Sequence, residues 1–124
     1  MNRPTLFLAT GVIFVLIGMA WGIQMSATQN HSMSPAHAHL NLLGFVIFAI
    51  YGFFYALSPT AAESKLSIIH YLIALAGVVT VVPGIVIALG GGDPTLAKVG
   101  SLLTLVAMAL FLFIVLKHKL PIKS

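Results

Sequence analysis

Pro35-Ala36-His37-Ala38-His39-Leu40-Asn41-Leu42-Leu43-Gly44 is the stretch whose reading decides the fold. Two histidines stand at the mouth of an apolar run that reaches Leu57 without a charged residue. An imidazole in lipid is costly and turns toward protein or a ligand, and neutral imidazole is the commonest metal ligand among side chains. At 3.6 residues per turn, positions i and i+2 lie about 200° apart on a helix. His37 and His39 therefore point to nearly opposite sides and do not chelate one ion as a pair. Asn41, Gly44, Phe48, Tyr51 and Tyr55 share the His37 face. The His39 face carries Leu42, Leu43, Val46, Ile50 and Phe53, a plain packing surface.

The rest of the chain makes this run a membrane helix. Of 124 residues, 60% are hydrophobic and 6% charged, against about 25% charged in a soluble domain. So little charge cannot cover a water-facing surface. The absence of cysteine excludes disulfides, thiolate metal sites, iron–sulfur clusters and thioether-attached haem. The net charge of +4 gathers at the chain ends and is a topology signal; it forms no nucleic-acid patch. Glu63 and Asp93 are the only acids, and both fall in expected loops. No carboxylate pair, nucleophile–base set or phosphate loop is present, which excludes hydrolase and kinase chemistry.

Four runs are long enough to cross a hydrocarbon core, which takes about 20 residues: 5–23, 36–57, 66–89 and 99–116. The expected fold is all-α, a four-helix transmembrane bundle in one domain spanning 1–124. The first run exceeds the about 7–15 apolar residues of a signal peptide and is expected as a retained span. Its Gly18-x-x-x-Gly22 allows close helix packing, and Trp21 suits an interfacial anchor. Arg3 and the cluster Lys117, Lys119 and Lys123 put both termini in the cytoplasm of a bacterial-type plasma membrane. Gln24–Pro35, free of Lys and Arg, is then an outer loop, and the histidine pair lies at the outer face. Gly90-Gly91-Gly92-Asp93-Pro94 is a turn. Pro83-Gly84 is expected to kink the third helix at the depth of the pair and to open room beside it.

The second run resembles the tenth helix of the catalytic subunit of haem-copper oxidases, most of all the cbb3-type members. The likeness rests on His37-Ala38-His39, Leu43-Gly44-Phe45, Ala49-Ile50-Tyr51-Gly52 and the exit from Tyr55 to Pro59. In that family the first histidine of the motif ligates a high-spin haem and the second a low-spin haem. The resemblance implies haem b held by His37 and His39, with Gly44 offering bare backbone to the macrocycle and Asn41 and Tyr51 on the same face. It covers about one-fifth of the chain. The family's copper-binding histidines and proton-channel residues have no counterpart here, so oxygen reduction is not implied. The family's twelve helices form three arcs of four, with ligands on the second helix of each arc. Since the pair here also lies on the second of four helices, the resemblance implies a symmetric homo-oligomer, a homotrimer above all.

Other donors are few. His31 and Met33, with Met25 upstream, form a possible outer copper set, because thioether with imidazole suits copper. Lys98, Gln29 and Asn30 are the candidate partners for haem propionates. His70 lies too far along the third helix to share a centre with the pair and is expected to hydrogen-bond a neighbour; Tyr71 beside it gives a thin hint of a quinone site. His118 belongs to the basic tail. Three functions stay open: a b-type haem protein for electron transfer or diatomic gas binding, a copper-binding or copper-delivery protein, and a cofactor-free assembly factor of a respiratory complex. The expected partners are the bilayer, further copies of the chain, and a redox partner or quinol.

Overall fold

Proline punctuates the start of the helices. Pro4, Pro35 and Pro59 each occupy the first turn of a helix, where a missing N–H costs nothing and the fixed φ is already helical. The computed structural model describes residues 1–123. Within them lie α1 (Arg3–Thr28), α2 (Ser34–Leu57), the short α3 (Pro59–Glu63), α4 (Lys65–Leu89) and α5 (Thr95–His118). No strand occurs among the described residues. All but α3 are long and apolar enough to cross a membrane, with mean hydropathy from 2.0 to 2.7. The four spans run up and down, so both termini share one end, and the histidine pair lies at the other.

The boundaries differ from the expected ones by more than two residues in two places. α1 continues past Ile23 to Thr28, because Gln24–Thr28 holds no helix breaker even though its hydropathy falls. It stops at Gln29, which adopts the left-handed conformation at φ 56°. The outer loop is thereby shortened to a few residues. α5 starts at Thr95 rather than Val99, since Asp93 Oδ1 accepts the Thr95 hydroxyl at 2.7 Å and the Thr95 N–H at 2.9 Å. Those two donors, the hydroxyl foremost, hold the Asp93 carboxyl below its ordinary range. The support they give is present above the unfolded carboxyl value of about 3.9 and is lost as pH falls through the lower folded value.

α4 runs through Pro83 as one helix, and the space expected beside it is taken by α5. Gly84 backs directly onto the Ala97 backbone, Gly100 onto the Val81 backbone, and Gly77 onto Thr104. These close approaches join α4 and α5 into the tightest pair in the bundle. α1 and α2 form a second antiparallel pair. Here Phe14 covers Gly44, a Cβ on which would lie 2.9 Å from the Phe14 Cβ. Association of spans depends on such backbone proximity, because lipid supplies no hydrophobic drive.

α2 is also the bridge between the pairs. Its buried positions Ala36, Leu40, Gly44 and Phe48 recur every four residues, wider than the 3.6 of an α-helix. The cause is a π-helical segment, Leu40–Val46, in which Ile47 N–H reaches Leu42 O. Below it, Phe48, Tyr51 and Tyr55 turn into an aromatic core with Phe7, His70 and Phe111. The lipid side of the bundle is plain hydrocarbon, as at Ile13, Leu16, Leu102 and Leu105.

Gly100→Ala and Gly84→Ala each force α4 and α5 apart at the backbone and are expected to cost about 1–3 kcal/mol, as overpacking does. Gly90→Ala meets its nearest neighbour at an ordinary 3.5 Å and is expected to be neutral. Thermal unfolding in detergent, followed by circular dichroism, checks the difference.

Candidate functional site

The two histidines part as the helical spacing requires. His37 faces inward, half-buried between α1 and α2, with its Nε2 2.9 Å from Gly18 O. A carbonyl only accepts, so the proton of this ring lies on Nε2 and points at Gly18. The ring stands edge-on to Trp21, with centroids 6.1 Å apart. Gly22 makes room for it: a Cβ there would approach Nε2 to 3.1 Å. Asn41 Nδ2 lies 3.3 Å from the same Nε2, a longer contact that cannot also be a hydrogen bond while Nε2 carries the proton. Asn41 Oδ1 is buried against Gly18 without a hydrogen-bond partner among the described residues. The glycines of α1 thus form the cradle for His37 and Asn41.

His39 faces outward and is exposed. Its Nδ1 lies 2.7 Å from Pro35 O, one helical turn back. The acceptor is again a carbonyl, so Nδ1 holds the proton, and the lone pair sits on Nε2 at the free tip of the ring. Metal-binding histidines are oriented in this way, by donating the other ring N–H to a carbonyl. The face that continues from His39 is apolar and open: Leu42, Val46, Ile50 and Phe53 are 43% to 59% exposed.

The remaining candidate residues are dispersed. Gly44 is covered by Phe14 and offers no bare backbone. Tyr51 lies well below the pair, packed edge-on against His70 at 4.2 Å, with its hydroxyl donating to Met108 Sδ at 3.8 Å. Lys98 is exposed near the start of α5 and makes no side-chain hydrogen bond among the described residues. Gln29 Nε2 donates to Ser26 O at 2.8 Å, and Asn30 Oδ1 accepts from the Ser32 N–H and hydroxyl, so both amides shape the loop. His31 is exposed, and its carbonyl accepts from Ser34. Met33 lines a small cavity of about 180 Å³ with Trp21, Gln24, Met25, Thr28, Asn30 and Ser32, which His31 does not enter. No group of three His, Cys, Asp or Glu side chains placed for a metal ion occurs among the described residues.

A second polar centre lies near the terminal end. His70 is fully buried, and its Nδ1 shares a hydrogen bond of 2.9 Å with the Tyr55 hydroxyl. The expected neighbour of His70 is thus a tyrosine of α2; Tyr71 instead bonds Thr10 Oγ1 at 2.8 Å. The π-helical segment and the Tyr55–His70 pair were the features hidden from a one-dimensional reading. The Tyr51 and Tyr55 positions on the inward face were the available signal.

Protein-family models, curated proteins and solved structures were compared with the chain, and none matches. The expected resemblance of α2 to the ligand-bearing oxidase helix has no support in these comparisons.

The two imidazoles differ in what their loss removes. His37→Ala breaks the bond to Gly18 and leaves that carbonyl buried, for an expected loss of about 1 kcal/mol. His39→Ala removes an exposed ring and is expected to change stability by less than about 0.5 kcal/mol. Denaturant titration of both variants in matched detergent tests the contrast.

Proposed function

We propose that the chain is a small b-type haem protein of the membrane, with His39 as its iron ligand. The observation that carries this reading is the exposed His39 imidazole, held by Pro35 O with its Nε2 unclaimed. The donor set fits the group on that point. His37 fits poorly, because ligation through its Nε2 needs the ring to abandon Gly18 O. In this reading His37 is the latch that aims α2, and His39 is the ligand. The apolar stripe Leu42, Val46, Ile50 and Phe53 suits the flat face of a macrocycle lying against α2. Haem held there would supply one-electron transfer or the binding of a diatomic gas. The positive-inside pattern of Arg3, Lys117, Lys119 and Lys123 supports cytoplasmic termini and a His39 at the outer face.

The number of imidazoles per iron follows from symmetry. Each chain offers one free ring of this kind. In a homotrimer, the arrangement implied by the resemblance to the oxidase subunit, no twofold axis would pair the rings, and each haem would be held by one His39. A twofold dimer would bring the same residue from two copies to one iron and close it. The trimer therefore goes with gas binding and the dimer with electron transfer. The copper reading keeps one supporting observation, the shared cavity of Met25 and Met33, since paired thioethers favour Cu(I).

Protein purified from haem-supplied membranes is expected to show a Soret band that His39→Ala abolishes and His37→Ala retains. Carbon monoxide should shift the reduced spectrum of a trimer. The absence of a Soret band, or an undiminished one in His39→Ala, contradicts the proposal. Metal analysis of the same preparation, iron against copper, separates the two cofactors.

A further inference from the structure

The strongest unexplained feature lies at the opposite end of α2, about 24 Å from His39 at 1.5 Å per residue. A buried polar pair inside a membrane bundle is expensive and by default functional. Tyr55 and His70 are such a pair: both are almost wholly excluded from solvent, and His70 Nε2 has no partner among the described residues. Tyr55 also lines an open cleft of about 460 Å³ together with Asn2, Arg3, Pro59, Ala62 and Glu63. Arg3 is braced there, its Nε donating to Ser67 Oγ at 2.8 Å, which leaves its terminal amino groups free to donate. We propose that this cleft binds the headgroup of a membrane quinone.

Four features select a quinone. The site lies at the end of the bundle, where headgroups sit, and its lining includes the exposed apolar residues Ala56 and Pro59. Its rim carries one cation, Arg3, and one anion, Glu63. That balance suits a neutral ring with two carbonyls and disfavours a phosphate, which Glu63 would repel. Arg3 supplies donors for a carbonyl, while Glu63 supplies an acceptor for the hydroxyl of the reduced form. The Tyr55–His70 bond can also be set in either direction. With Nδ1 accepting, the tyrosine proton is engaged by His70; with Nδ1 protonated, the tyrosine keeps its proton for another acceptor. The pair can thus change direction behind the cleft wall to which Tyr55 contributes. The inference does not depend on haem at His39.

The test uses the full chain in nanodiscs of phosphatidylcholine, titrated with decylubiquinone by isothermal calorimetry. Saturable binding is expected, weakened about tenfold or more in Arg3→Ala and in Tyr55→Phe, the scale of one or two lost hydrogen bonds. Leu102→Ala, on the lipid face of α5, should bind as the wild type does. Tyr55→Phe keeps the ring and hence the packing, and circular dichroism checks both variants. An azido-quinone photolabel on the unmodified chain gives an independent reading, with adducts expected near Arg3 and between Tyr55 and Glu63. Absence of saturable binding, equal binding in both variants, or adducts confined elsewhere overturns the proposal. So does saturable binding of phosphatidylglycerol at this cleft with none of decylubiquinone, which would make it a phospholipid site.

Discussion

A single hydrogen bond between spans, from His37 Nε2–H to Gly18 O, sets the rotation of α2 and with it the placement of the polar side chains that α2 carries. Its strength is modest, since interhelical bonds of this kind average about 0.6 kcal/mol in membranes. The bulk of the packing energy comes instead from close contact along glycine faces, as at Gly44 under Phe14 and Gly11 against Phe48. Such contact is compatible with small rotations, whereas a directed bond from a ring is not. With His37 pinned, Asn41 falls against Gly18 and Tyr55 falls beside His70. His39 is then forced outward, because two residues of helix carry it to the far side.

The π-helical segment reconciles the two ends of α2. Without it, positions every four residues would drift off the α1 face, and Phe48 would leave the core in which Phe7 meets it at 5.6 Å between centroids. The wider turn holds Ala36, Leu40, Gly44 and Phe48 in line. Segments of this kind concentrate at functional sites, and this one begins immediately after His39. The result is a division of labour along one helix: a latched ring and an exposed ring at the mouth, a bridge in the middle, and a tyrosine–histidine pair at the far end.

Much of this was legible in the residues. The four spans follow from hydropathy alone, and the divergence of His37 and His39 follows from the pitch of a helix. The inward face of Asn41, Gly44, Phe48, Tyr51 and Tyr55 was likewise readable, and all five lie toward the bundle. The use of that face was not. Gly44 reads as bare backbone open to a ligand, yet Phe14 fills it, and nothing local to α2 announces a phenylalanine thirty positions earlier. Pro83 reads as a source of room, yet the glycines of the facing helices bring α5 against it. In both cases the missing information is the identity of the neighbour. The π turn was hidden for a different reason, since it is a compromise between two contact surfaces with no signature residue of its own.

The account stands on the two histidines having opposite proton positions, which imidazole ¹⁵N NMR of the chain in detergent, at a pH where both rings are neutral, reads directly. It predicts a proton on Nε2 of His37 and on Nδ1 of His39, following their carbonyl partners Gly18 and Pro35. The same tautomer on both rings, or the reverse assignment, would contradict it, for His37 would then not be latched or His39 would not present a free Nε2.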